Sequence, residues 1–486
     1  MKKKPNFLVF MTDQQNAQTI MPGHLAKTPN IDAFVKKSML FTDAYTTSPH
    51  CCPSRAAFFT GLYPSEHNVW NNVEVDNALS RGLYDGITCF PEVLQKNQYE
   101  TVFAGKWHVS AVEGPEDRGF SQVLNEYVSN YGRYTAGNNP VANDWEHMYS
   151  DKESIKFDDS KEFGEIVRPG YPKYFQFGVD ENPFSDALSV DNACKSLDSY
   201  DDGENPFFLY VGVTGPHDPY CAPQRFIDMY KDVEIALPEN FDDPMADKPS
   251  LYRRTRDCFS LTREEHRESI RHYLAFVSYE DYLFGKLMDR LKANNLEEDT
   301  YVLFVTDHGD YMGAHGLWAK GLPCFKEAYQ ICAVMGGGAI AAGSVCDELV
   351  SITDFFPTFL ELASSKYTEH VTGRSLVPLL HGKKSPDWRT EIYTQTNGNE
   401  VYGIQRAVWN RKWKYVLNMF DYDELYDLEN DPLEMHNVRN REENRPIIKE
   451  LCKKLWTFAQ DTKDNCTCPY IMVSFAPYGP GIVLEE

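Results

Sequence analysis

Cys51-Cys52-Pro53-Ser54-Arg55 puts a thiol at the mouth of a helix and a guanidinium one turn further on. Backbone N–H groups at a helix start and a nearby cation favour anions and push a thiol toward the nucleophilic thiolate. Taken alone, the run also fits a small buried residue ahead of a helix. Asp13 stands just past the apolar run Phe7–Met11, and Asp307-His308 directly follow Tyr301–Thr306. Read singly, each aspartate is a helix cap. At the ends of neighbouring buried strands the two would repel, which a divalent cation resolves. Gly105-Lys106-Trp107-His108 follows another apolar run, so Lys106 and His108 can point into one pocket. His217 in Gly215-Pro216-His217-Asp218-Pro219 and Lys320 in Gly316-Leu317-Trp318-Ala319-Lys320-Gly321 repeat that pattern. A lone lysine is usually solvated and a lone histidine usually satisfied by its neighbours. His50, His67 and His315 are read in that structural way, although His315 is close enough in sequence to line the pocket.

Such groups converge only if strands bring them to one edge. Phe7–Met11, Thr101–Ala104, Phe207–Val213 and Tyr301–Val305 are short apolar runs of the kind buried on both faces of a sheet. Between them lie helical patterns. Thr28-Pro29-Asn30 is expected to open one, with Thr28 as cap. Glu264 to Leu291 carries Ile270, Leu274, Val277, Phe284, Leu287 and Leu291 on one stripe. The alternation predicts an α/β sheet covered on both faces, with functional groups at the carboxyl ends of its strands. After Trp388 the pattern changes. Glu391–Gln395, Arg406–Trp409, Trp413–Met419 and Glu424–Leu428 read as strands joined by polar turns such as Asn397-Gly398, closed by a helix near Pro446–Phe458. The expected division is therefore a catalytic unit over 1–388 and a subdomain over 389–486. Residues 125–184 are rich in Tyr, Asn, Gly and Pro without periodicity, and read either as a pocket-shaping insertion or as a wrap over the sheet.

The chain has 486 residues, enough to bury roughly three quarters of its unfolded surface. With 72 acidic against 48 basic residues its net charge is −24, which disfavours nucleic acid and anionic membranes as partners. An anionic substrate would need a local positive pocket within that field. Lys2-Lys3-Lys4 precede an apolar run too short for a signal peptide, so Phe7–Met11 is read as a first strand. No run is long enough to span a membrane. The 12 cysteines lack the regular spacing of a disulfide scaffold, and Cys466 and Cys468 read as two isolated thiols. The expected compartment is the cytoplasm. Oligomeric state is not legible.

The run Cys51–Arg55, with Thr60-Gly61-Leu62-Tyr63-Pro64 after it, resembles the signature of the sulfatases. The resemblance extends through Thr28-Pro29-Asn30-Ile31-Asp32 and Phe41-Thr42-Asp43-Ala44-Tyr45 to Leu425–Pro432. It implies an alkaline-phosphatase-like fold: a large mixed β-sheet sandwiched by helices, with a smaller C-terminal antiparallel sheet. It implies that a separate formylglycine-generating enzyme converts Cys51 to formylglycine, whose aldehyde hydrate is a recyclable nucleophile. Asp13, Gln14, Asp307 and His308, with the modified Cys51, match the metal shell, for which Ca2+ is expected and Mn2+, Mg2+ or Zn2+ are alternatives. Many members have Asp at the position of Gln14 and Asn at that of His308. Lys106, His108, His217 and Lys320 match catalytic positions. Arg55, Lys106 and Lys320 would hold sulfate oxygens, with Arg55 also steadying the nucleophile. His217, with Lys320, would protonate the leaving alcohol, and His108 would take the proton that lets sulfate depart. The implied activity is hydrolysis of a sulfate ester, expected to be that of a mono- or oligosaccharide. A phosphonate monoester or phosphodiester hydrolase, a choline or aryl sulfatase, and a binding protein with an unmodified Cys51 are the alternatives.

Overall fold

The computed structural model describes residues 4–75, 77–124, 161–167, 174–200, 205–383, 386–399, 401–466, 468, 470–471, 475 and 477–484. Of the aperiodic stretch expected to shape the pocket, 125–160 and 168–173 lie outside the described residues. Eight strands form the large sheet: β1 (Asn6–Thr12), β2 (Met39–Phe41), β3 (Glu100–Gly105), β4 (Gln122–Val123), β5 (Phe207–Gly212), β6 (Thr300–Thr306), β7 (Ala333–Gly336) and β8 (Ser344–Cys346). Their order is β8-β2-β7-β6-β1-β5-β3-β4. Only β7 runs antiparallel to its neighbours β6 and β2; the other pairs are parallel.

Strand β1 shows why the apolar runs become central strands. Every residue of it is buried, and successive side chains go to opposite faces. Phe7, Val9 and Met11 pack on one side with Phe58 and Phe59 of α1 (Cys51–Thr60) and Phe355, Phe356 and Phe359 of the helix Phe355–Leu362. Leu8 and Phe10 pack on the other with α2 (Asp186–Ser199) and α3 (Arg263–Ala293), whose expected stripe from Ile270 to Leu291 lies in that layer. Each such large apolar side chain contributes roughly 1.5–3 kcal/mol on burial. Thr262 caps α3 by accepting from the N–H of Glu265, whose carboxylate accepts in return from the N–H of Thr262. Thr28 does not cap its helix in the expected way. Its Oγ1 donates to Asp32 Oδ1 at 3.0 Å instead of accepting from a backbone N–H, because that carboxylate offers the stronger acceptor one turn on.

Four antiparallel strands follow: β9 (Ile392–Gly398), β10 (Tyr402–Trp409), β11 (Trp413–Asn418) and β12 (Glu424–Asp427). Asn397-Gly398 is not the turn between the first two but the bulged end of β9, with the register shifting between Thr396 and Gly398. One face of this sheet, with Ala407, Trp409, Val416 and Tyr426, packs on Tyr311, Phe325 and Tyr329 of the larger layer. The other, with Val408, Tyr415, Leu417 and Leu425, is covered by α4 (Arg445–Asp461) through Ile448, Leu451, Leu455 and Trp456. Among the described residues no helix is long and apolar enough to cross a membrane.

Candidate functional site

Register carries the site residues to one edge. Thr12 pairs with Thr306 across β1 and β6, so Asp13 and Asp307 leave adjacent strands at the same level. Gly105 pairs with Gly212 across β3 and β5, and Lys106 N–H donates to the Gly212 carbonyl at 2.8 Å. Gly105 sits at φ +91°, and a Cβ there would come within 1.9 Å of the Gly212 oxygen. Only glycine lets the chain turn Lys106 inward at this point. Helix α1 begins at Cys51 and ends at Gly61, in the left-handed conformation at φ 70°. Ser54 Oγ donates to the Asp307 carbonyl at 2.5 Å, which ties the first turn of α1 to the end of β6.

Asp13, Cys51, Asp307 and His308 meet there, all buried, with their ligand atoms within 4.8 Å of one another. The Cys51 thiol lies 3.6 Å from Asp13 Oδ1 and 3.3 Å from His308 Nε2. His308 Nδ1 donates to the Gly309 carbonyl at 2.9 Å, which leaves the Nε2 lone pair directed into the cluster. Two carboxylates and an imidazole nitrogen turned toward them are a donor set that fits a divalent cation. Gln14 lies at the rim with φ 64°. Its Oε1 accepts from Lys320 Nζ at 2.5 Å, and its amide donates to Asp218 at 3.1 Å and Asp310 at 2.7 Å.

Cations surround the acids. Lys106 Nζ is 2.7 Å from Asp13 Oδ2. Arg55 is wholly buried, donating to Asp13 at 3.0 Å, Asp307 at 2.8 Å, the Lys106 carbonyl at 3.0 Å and Tyr210 Oη at 3.1 Å. Its guanidinium therefore clamps the two acids beside Cys51. Burial and Cys51 push the Asp13 carboxyl up, but Lys106, Arg55 and His217 outweigh them and hold it well below the usual carboxylate range. Burial, with Asp13 nearby, raises Asp307. Burial would raise the Cys51 thiol as well. Lys106, Lys320 and His308, with a hydrogen bond from His108, bring it well below the ordinary thiol value.

The mouth is marked by exposure: side chains of His217, His108 and Lys106 are 23%, 12% and 9% exposed, against 0% for Asp13. His217 Nδ1 donates to the Asp218 carbonyl at 2.7 Å, and its Nε2 lies 2.5 Å from Lys320 Nζ. A lysine ammonium donating to this nitrogen leaves the pair one shared proton at the mouth. His108, held at φ 54°, lies 3.9 Å from Glu74 on the opposite rim. Asp13, Gln14, Cys51, Arg55, Lys106, His108, His217, Asp307, His308 and Lys320 thus gather around one site. His315 does not: it bonds Asp243 at 2.6 Å and stacks on Phe325 at 3.6 Å between centroids. Asp218, Asp310 and Tyr210 went unassigned. The first two stand inside motifs that were read for other residues. Tyr210, a hydroxyl within an apolar strand, gave no signal.

The sulfatase family model matches residues 5–365, three quarters of the chain and all of the strands that carry these groups. The chain belongs to the sulfatase family. It is a sulfuric ester hydrolase with the alkaline-phosphatase-like fold. A second family model, the C-terminal part of N-sulphoglucosamine sulphohydrolase, matches residues 313–461 of the sulfatase. The choline-sulfatase of Rhizobium meliloti is 31% identical over 450 residues, covering 90% of this sulfatase and 82% of that protein. Two solved structures share its fold. BT4656 in complex with its substrate D-glucosamine-2-N,6-O-disulfate superposes with a TM-score of 0.74 at 21% identity, covering 95% of this chain and 99% of that one. The phosphonate monoester hydrolase of Silicibacter pomeroyi does so with a TM-score of 0.76 at 19% identity, covering 95% and 96%.

Proposed function

We propose that the enzyme hydrolyses the sulfate ester of a mono- or oligosaccharide, with Cys51 carried as formylglycine after the action of a separate formylglycine-generating enzyme. One observation carries this reading: a side chain at a helix start, beside two buried carboxylates, is ringed by the cations Arg55, Lys106 and Lys320. That is a local positive site in a molecule of net charge −24, suited to a small anion. Asp13, Gln14, Asp307, His308 and the side chain at 51 would hold one divalent cation. Ca2+ is favoured by the mainly oxygen donor set, and Mn2+, Mg2+ or Zn2+ are the alternatives. Bound there, the cation supplies charge that makes a neighbouring hydroxyl acidic and offsets that of the sulfate. The aldehyde hydrate of formylglycine supplies a nucleophilic hydroxyl and a second whose deprotonation expels sulfate.

The chain's own residues do the rest. Lys106 and Lys320 face the sulfate oxygens. Arg55 fixes Asp13 and Asp307, and so the nucleophile's surroundings. His217, sharing a proton with Lys320, delivers it to the leaving oxygen, an alkoxide being a poor leaving group. His108, on the opposite rim, accepts the proton of the second hydroxyl. We take residues 1–388 as the catalytic unit and 389–486 as a subdomain that borders its mouth. In support, Asn399 accepts from Asn72 N–H at 2.9 Å, and Asn72 in turn accepts from Cys52 N–H at 3.2 Å. The match to the C-terminal part of N-sulphoglucosamine sulphohydrolase supports a saccharide leaving group. Choline sulfate is the second reading, favoured by the 31% identical choline-sulfatase. All 12 cysteines are free, which supports a reducing compartment, the cytoplasm.

The first experiment is peptide mass spectrometry of position 51 in protein co-expressed with a formylglycine-generating enzyme. An aldehyde there, trapped by a hydrazine, is expected. Turnover of glucosamine 6-sulfate, choline sulfate, aryl sulfate and an aryl phosphodiester then ranks the substrates. A persistent thiol removes the proposed nucleophile, and phosphodiester turnover dominating in kcat/KM overturns the sulfate assignment.

A further inference from the structure

Phe184 is a large apolar residue, 38% exposed, in a conformation that aromatic L-residues rarely adopt. It lies at φ 52°, ψ 12°, and Ser185 after it at φ 60°, ψ 25°. Two consecutive left-handed residues, neither a glycine, persist only where their surroundings impose them, and such turns gather at ligand clamps. The restraint here is Asp186, first residue of α2. Its carboxylate accepts from Thr214 N–H at 2.9 and 3.0 Å and from Gly215 N–H at 2.8 Å. Those two residues begin the turn that carries His217. Glu280 of α3 backs the joint and is wholly buried. Its Oε1 lies so close to Gly215 that a Cβ there would come within 2.2 Å of it. The Phe184 turn and the His217 turn are therefore fixed to one another.

The ring's position follows. It stacks on Phe276 at 6.2 Å with 9° between planes, and stands edge-on to His217 at 6.4 Å. The ring is left open beside the histidine that, in the reading above, delivers the proton to the leaving oxygen. On that reading, we propose that Phe184 is a substrate-contact residue whose ring packs against the face of a cyclic leaving group, a sugar or an aryl ring. Both present a flat C–H or π surface to an aromatic side chain.

The test uses the full-length, formylglycine-bearing enzyme and compares Phe184→Ala, Phe184→Asn and Phe184→Tyr. Asn suits a left-handed turn and so removes the ring while keeping the backbone. The readouts are KM and kcat on glucosamine 6-sulfate and 4-nitrophenyl sulfate, and inhibition by inorganic sulfate. Loss of the ring is expected to raise KM about five- to tenfold on the sugar arm, the aryl arm or both, and Phe184→Tyr to restore it. Inhibition by inorganic sulfate, which has no leaving group, is expected to stay unchanged. KM values unmoved on both arms overturn the proposal. So does a parallel weakening of inorganic sulfate, which would mark a merely structural role. A wild type that cleaves an aryl phosphodiester but no sulfate ester overturns the functional reading alone, since the same variants on the phosphodiester still report ring contact.

Discussion

Lys320 holds two partners at once, Gln14 Oε1 and His217 Nε2, each at 2.5 Å. A cation so placed acts both on the anion and on the acid. Lys320→Ala is expected to lower kcat by about 10²–10³. The loss should be larger for an alkyl than for an aryl sulfate, because a phenolate departs with less help from an acid. An equal loss on both would confine Lys320 to charge stabilisation. Arg55 works differently, since its N–H groups go to Asp13, Asp307, Tyr210 and the Lys106 carbonyl. Arg55→Ala would strand buried carboxylates, at a cost of about 3–5 kcal/mol. Arg55→Lys should recover only part of this, lacking the fork that reaches both acids. Thermal unfolding checks it, and an unshifted melting temperature for Arg55→Ala would show that the acids do not depend on the guanidinium. The type and order of these residues were legible in the sequence. Their division of labour was not: whether a guanidinium faces a ligand or the acids beneath it depends on which strand ends surround it.

Elements were legible where the local signal matched the burial. β1, β3, β5 and β6 are apolar runs buried on both faces, and each was read to within a residue or two. The stripe of α3 likewise predicted a helix that runs from Arg263 to Ala293. β2, β4, β7 and β8 were missed, being two to four residues long and stabilised by pairing with strands distant in sequence. The close approach at Gly105 is another property of pairing. Gly105→Ala would force a Cβ against the Gly212 carbonyl at a residue held at φ +91°. The variant should separate the end of β3 from β5 just before Lys106, lowering the melting temperature and kcat together. A variant of native stability and activity would mean that the strand ends shift freely, contrary to the register that positions the site.

At the scale of the whole molecule, a chain with net charge −24 encloses a cationic pocket and buries several carboxyl groups. Composition revealed the surface charge but not the buried acids, which look identical to solvated ones in sequence. Among them, Asp186 and Glu280 form a pair whose ionisation affects the entire fold. Burial, then the Asp186 charge, pushes Glu280 well above the ordinary carboxyl range. Burial also raises Asp186, to about 7, although the N–H groups of Thr214 and Gly215 favour its charge. The proton therefore rests on Glu280. The unfolded chain releases that proton near the ordinary glutamate value, about 4.3, whereas the folded chain keeps it. Raised folded-state values contribute stability that is complete below the unfolded pKa and is lost as pH rises through the folded one. Stability should thus decline from mildly acidic toward alkaline pH. Glu280→Gln keeps the shape but has no proton to lose. Its melting temperature is expected to gain on the wild type as pH rises from 5 to 9. Melting curves for the two proteins that run parallel across this range would show that Glu280 does not hold a proton in the folded chain.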